Sequence, residues 1–235
     1  MKNISSRLLR ERLHKHALRE HKLLRAMLEV TYRCNFSCAH CYVPLCRRKG
    51  GSLGEMTMPQ IFRLMKMLAD EGCFYLGFTG GEPFMRGDFL KILERAAKIG
   101  FHPAINTNGY FIDRKTAREI AAFSPSKVDI TVHSADCRAF DKIAGVDGAG
   151  RRVFDALEFL KDAGVPIGLK TCLLEDNRRS LAGVRVLAKS LGARLRVADL
   201  LGAGFEELEQ SLSRALRKPP VAKPPAPCLS TIAST

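Results

Sequence analysis

Between residues 27 and 199 the sequence alternates short apolar or β-branched runs with amphipathic helical stretches, and this alternation limits the fold more than any other feature. Strands are expected at Met27–Tyr32, Phe74–Thr79, Phe101–Asn106, Val128–His133, Pro166–Leu173 and Ala193–Ala198. Helices are expected between them at Pro59–Glu71, Asp88–Ile99, Asp113–Ala122, Gly150–Ala163 and Arg179–Leu191. Thr57 caps the first of these with Pro59 in its first turn, and Gly100, Gly164 and Gly192 end three others. Each β/α unit takes about 30 residues, the usual size of a βαβ step. Such alternation implies a mainly parallel sheet with helices outside. Six units fall short of an eight-fold barrel, which leaves an open partial barrel or a doubly wound sheet.

The flanks are different. Residues 1–26 carry eight Lys/Arg against Glu11 and Glu20, with Leu8, Leu9, Leu13, Ala17 and Leu24 spaced as a helical stripe. They read as a basic helix packed outside the main domain, whose charged face suits an anionic leader peptide or RNA. Residues 204–217 read as a short amphipathic helix. Residues 218–235 begin KPPVAKPPAP and are expected to be an extended, disordered Pro-rich tail. The net charge of +14 therefore sits mainly at the two ends. With no Trp and only four Tyr, no aromatic platform accompanies it, and nucleic acid is not the expected partner. The chain has no apolar run long enough to span a bilayer and no apolar signal segment, so we expect a cytoplasmic protein.

Chemistry enters at Cys34-Asn-Phe-Ser-Cys38-Ala-His-Cys41, directly after the first strand. In a reducing compartment, crowded cysteines read as ligands rather than disulfides. Thiolates suit zinc or an iron–sulfur cluster. Zinc would take four ligands, with His40 or Cys46 as the fourth. A four-iron cube would take one thiolate per iron and leave one iron open. The loop after the second strand is Gly80-Gly81-Glu82-Pro83, in which glycines permit close backbone approach and Glu82 offers a carboxylate. The third strand leads into Asn106-Thr107-Asn108-Gly109, and the fourth into Thr131, His133 and Ser134. In an α/β sheet these four loops share the C-terminal edge, where ligands bind. Cys73, Cys137 and Cys172 read as small apolar residues.

With CxxxCxxC at Cys34, Cys38 and Cys41 and GGEP at Gly80–Pro83, the chain resembles the radical S-adenosylmethionine (SAM) superfamily over about residues 25–200. The resemblance implies a partial, open (β/α)6 TIM-like barrel at residues 27–203. It implies a [4Fe–4S] cluster on the three cysteines, with SAM chelating the fourth iron. Glu82 and the Gly80–Gly81 backbone, with Pro83, would hold the SAM amino group. His40 would neighbour the adenine, Thr107 and Asn108 would line the pocket, Thr131 and Ser134 would lie by the ribose, and Lys170 would meet the carboxylate. The reduced cluster would cleave SAM to a 5′-deoxyadenosyl radical that takes hydrogen from a substrate. A flavodoxin- or ferredoxin-like protein would donate the electron.

Three stretches (LEVTYRCNFSCAHCY, GGEPFMRGDFLKILERAAKIGFHPAINTNGYFID and AFDKIAGVDGAGRRVFDALEFLKDAGVPIGLKTCLLEDN) resemble the branch that carries a C-terminal SPASM or twitch domain with auxiliary clusters. That branch implies peptide or protein modification, assisted by a separate leader-peptide-binding protein. The alternatives are cofactor or modified-haem synthesis by the same chemistry, or a non-catalytic iron–sulfur fragment. The ending APCLSTIAST, with Cys228, resembles the first residues of a SPASM-like domain, and the expectation is a chain truncated there.

Overall fold

The computed structural model describes residues 6–38, 40–41, 43 and 54–199. The helix expected at 204–217, the Pro-rich tail, Cys46 and Cys228 lie outside the described residues.

Six strands, β1 (Arg25–Glu29), β2 (Tyr75–Thr79), β3 (His102–Thr107), β4 (Lys127–Thr131), β5 (Ile167–Leu173) and β6 (Arg194–Asp199), form one sheet. All neighbours are parallel and the spatial order is the chain order, β1 to β6. A doubly wound sheet would reverse direction at a switch point. Sequential order without reversal is that of an open partial barrel.

The crossovers carry helices α2 (Met58–Asp70), α3 (Phe89–Ile99), α4 (Arg114–Ala122), α6 (Ala149–Asp162) and α7 (Leu181–Ser190). The Thr57 backbone N–H donates to Gln60 Oε1 at 2.7 Å, which closes the N-terminus of α2. Asp113 caps α4 by accepting from the Thr116 N–H at 2.7 Å. The inner faces of these helices meet the strands in one continuous core. Ile61, Met65, Leu76, Phe78, Ile92, Ile105, Ile130, Leu157 and Leu169 within it are wholly inaccessible to water.

Several expectations need correction. Strand β1 runs from 25 to 29 rather than 27 to 32, because its pairing with β2 ends at Glu29 opposite Thr79. Beyond that point the chain bonds instead to the loop after β2. Helix α5 (Cys137–Ala144), capped by Asp136 accepting from the Ala139 N–H, was not foreseen. The stretch expected as a helix from Arg179 opens as a 3-10 turn over Glu175–Ser180 before α7. Helix α1 (Ser6–Arg19) is present, but Ala17 is buried while Leu8, Leu13 and Leu18 stay exposed. Its leucine stripe is therefore only partly used for packing.

Candidate functional site

The C-terminal ends of the strands close around a cavity of about 380 Å³. Thr79, Thr107 and Thr131, the last residues of β2, β3 and β4, line it, together with Cys172 near the end of β5. Cys34, Cys38 and Cys41 all reach this cavity. The loop that carries them is anchored from below. Phe36, only 1% exposed, inserts into the core and meets Tyr110 and Phe140 edge to face at 5.8 and 6.4 Å. The Ser37 N–H donates to the Ala144 carbonyl at 2.8 Å, tying the loop to α5. The aromatic residue between the cysteines is thus the loop's foot, a role that the spacing motif concealed.

The Cys34 sulfur accepts from the Phe36 N–H at 3.4 Å, with the Asn108 amide at 3.8 Å. Burial pushes the Cys34 thiol up, and the negative charges of Glu82 and Cys41 add to this. A bound cation would reverse that pressure, since coordination deprotonates a thiol outright. Among the described residues, no three His, Cys, Asp or Glu side chains converge on a single ion. The donor set is three soft thiols spread along one cavity wall, and it suits a cluster that takes one sulfur per iron.

Gly80 and Gly81 have a steric reason. Gly80 has φ +149°, and a Cβ there would lie 2.1 Å from the Thr31 carbonyl oxygen. A Cβ on Gly81 would lie 2.3 Å from the Arg33 oxygen and 2.5 Å from that of Tyr32. The bare backbone lets the loop after β2 lie flat against the chain entering the cysteine loop. There the Gly81 N–H donates to Thr31 at 2.7 Å and the Glu82 N–H to Arg33 at 2.8 Å.

Glu82 is fully buried and does not line the cavity. Its Oε1 accepts from the Thr107 hydroxyl at 2.7 Å and the Phe84 N–H at 3.1 Å, and its Oε2 from the Asn108 N–H at 2.7 Å. Burial raises its carboxyl to about 7, against the pull of those three hydrogen bonds. All three of these contacts are to donors of the protein itself. This carboxylate locks the loop after β2 to the loop after β3. Pro83, itself buried, opens a 3-10 turn over Pro83–Met85 and does not line the cavity. Ser134 is likewise buried behind the wall, where its hydroxyl accepts from the Asp136 N–H at 3.0 Å.

The remaining expected residues do come together: His40, Gly80, Gly81, Thr107, Asn108, Thr131 and Lys170 all border the cavity. The Lys170 ammonium hydrogen-bonds Asn106 Oδ1 and stands 3.7 Å from Asp129. Burial lowers Lys170, and the charge of Asp129 opposes that shift. His133, expected at this strand edge without an assigned contact, and Cys172, expected as a small apolar residue, also border the cavity. For His133, its position among the polar residues after β4 was the available signal.

A second cavity, of about 700 Å³, opens at the opposite mouth, where Arg25, Tyr75, His102, Lys127, Ile167 and Arg194 are the first residues of the six strands. The cysteines do not reach it.

Residues 28–183 match the model of the Radical SAM superfamily. A probable GTP 3′,8-cyclase of Pyrobaculum aerophilum is 32% identical over 181 residues, which is 75% of this chain and 57% of the cyclase. A PqqA peptide cyclase of Rhodopseudomonas palustris is 26% identical over 183 residues, 77% of this chain and 48% of that enzyme. The chain thus spans about half the length of the curated relatives it matches. Among solved structures, Streptococcus suis SuiB bound to the precursor peptide SuiA superposes with a TM-score of 0.71 at 16% identity, over 92% of this chain and 52% of SuiB.

Proposed function

The chain belongs to the radical SAM superfamily, whose members use a [4Fe–4S] cluster and SAM, and from that premise we propose an iron–sulfur enzyme that modifies a peptide or protein. The observation that carries this reading is the arrival of Cys34, Cys38 and Cys41 in one cavity walled by the loops after β2, β3 and β4. Each thiolate would hold one iron, leaving the fourth for the amino and carboxylate groups of SAM. Held there by the three cysteines, a cluster would supply the one-electron reduction of the sulfonium, and the radical chemistry that followed would be the cofactor's.

The protein's part is positioning and exclusion of water. Phe36 and Val43 give the cavity apolar walls. His40 offers a flat face for the adenine, and Thr131 a hydroxyl for the ribose. Lys170 supplies a cation for the carboxylate. Glu82 acts at one remove, by fixing Thr107 and Asn108. Gly80 and Gly81 bring their backbone against the cysteine loop.

The peptide reading is supported by likeness to a PqqA peptide cyclase over 77% of the chain. The second reading, a small-molecule substrate, is supported by the higher identity to a probable GTP 3′,8-cyclase. We also infer a cytoplasmic setting, with a flavodoxin- or ferredoxin-like electron donor and a separate leader-peptide-binding protein. No helix among the described residues is long and apolar enough to cross a membrane.

The test is 5′-deoxyadenosine formation from SAM by the anaerobically reconstituted protein with a strong reductant, beside Cys38→Ala. Product from the wild type and none from the variant is expected. Equal product from a variant retaining its full iron would overturn the assignment. Release of the same product in the presence of candidate peptides or nucleotides then separates the two substrate readings.

A further inference from the structure

His133 follows the end of β4 and is 2% exposed. Its Nε2 lies 3.4 Å from the Cys38 sulfur. Its Nδ1 is buried and has no hydrogen-bond partner among the described residues. The ring is held from several sides. It packs on Phe140 at 5.0 Å and meets the His40 ring edge to face at 5.0 Å. Its backbone carbonyl accepts from the buried Asn177 amide at 2.8 Å.

We infer that His133 is a positioning residue of the iron–sulfur site, whose Nε2–H donates a hydrogen bond to the Cys38 sulfur and makes the cluster easier to reduce. The tautomer follows from the surroundings. A buried N–H without an acceptor is the rarer and costlier defect, so the proton belongs on the nitrogen that has the sulfur beside it. A metal-bound thiolate has no proton to give, which fixes Nε2 as the donor once the site is loaded. Hydrogen bonds to cluster sulfurs tune the reduction potential. The reduced state is richer in electrons, accepts the bond more strongly and is favoured by it. His133 thus acts through Cys38.

The inference rests on the reading that the three cysteines hold a cluster, and the experiment separates the two. The reconstituted full chain is titrated by redox potential with the reduced cluster followed by electron paramagnetic resonance, for the wild type, His133→Phe and His133→Gln. The phenyl ring keeps the packing and removes the donor. The glutamine amide places an N–H where Nε2 stood. Iron content near the wild-type value, a lower midpoint potential in His133→Phe and recovery in His133→Gln are expected. An unchanged potential in His133→Phe at full iron content overturns the inference and leaves the cluster assignment standing. A wild type that binds no iron overturns both.

A measurement on the wild type covers the case in which both variants lose the cluster. Electron–nuclear double resonance of the reduced protein, labelled with nitrogen-15 histidine and prepared in H2O and in D2O, reads the bond directly. An exchangeable proton and a histidine nitrogen coupled to the cluster support the inference. Their absence overturns it.

Discussion

Glu82 Oε2 accepts the backbone N–H of Asn108 at 2.7 Å, so a buried carboxylate joins the loop after β2 to the loop after β3. The bond connects two walls of the cavity without entering it. It also places an ionisable group where burial opposes its charge, and this makes the join sensitive to pH.

Folded Glu82 keeps its proton up to about pH 7, whereas the unfolded chain loses it near the ordinary carboxyl value of 4.5. Stability from this group is therefore fully present below the unfolded value and is lost as pH rises through about 7. The shift corresponds to roughly 3 kcal/mol. Denaturant unfolding of the metal-free protein should show wild-type stability falling between about pH 5 and pH 8. Glu82→Gln should be flatter across the same range. Parallel pH profiles would show that Glu82 does not carry the dependence.

Gly81→Ala should separate the loop after β2 from the cysteine loop. The new methyl would meet two carbonyl oxygens, and backbone cannot move aside as a side chain can. A stability loss at the upper end of the overpacking range, about 3 kcal/mol, is expected. Iron bound after reconstitution should fall with it. Full iron and an unchanged unfolding midpoint would mean that the loop tolerates the displacement.

Lys170→Met distinguishes a ligand contact from an internal one. Lys170 borders the cavity but is also tied to Asn106 and lies near Asp129. If it holds the SAM carboxylate, calorimetry should show the SAM Kd rising about tenfold, the loss of a charge-assisted hydrogen bond. Iron content should not change. A wild-type Kd would assign Lys170 to the Asp129 cluster alone.

Asn177 is 3% exposed and joins β4 to β5. Its amide donates to the carbonyls of His133 and Cys172, both at 2.8 Å, and its oxygen accepts from the Leu174 N–H at 2.8 Å. Asn177→Ala leaves those groups without partners in the interior and should cost about 3 kcal/mol in denaturant unfolding. A loss below about 0.5 kcal/mol, the range of an ordinary surface substitution, would contradict this account.

The sequence was most legible where a local rule and the tertiary demand coincide. Asp113, Gly100 and Gly164 mark helix ends because a cap is chosen by its nearest neighbours in the chain. It was least legible at the start of the cysteine loop, where the end of β1 is set by a partner fifty residues away. Helix α5 escaped because a helix of eight residues spans barely two turns of apolar repeat.

By itself the sequence determined the parallel α/β alternation and the placing of the cysteines, GGEP, NTNG and the His133 loop after successive strands. Those features are periodic or contiguous, and they are written into neighbouring residues. Tertiary structure alone decided that the strands lie in sequential order, that Glu82 faces inward to Thr107 and Asn108, and that His133 meets Cys38 across 95 residues of chain. Each of these depends on which buried polar group finds a partner once the sheet has closed around it. Hydrogen bonding in a water-free interior is settled by proximity in space, which spacing along the chain does not encode.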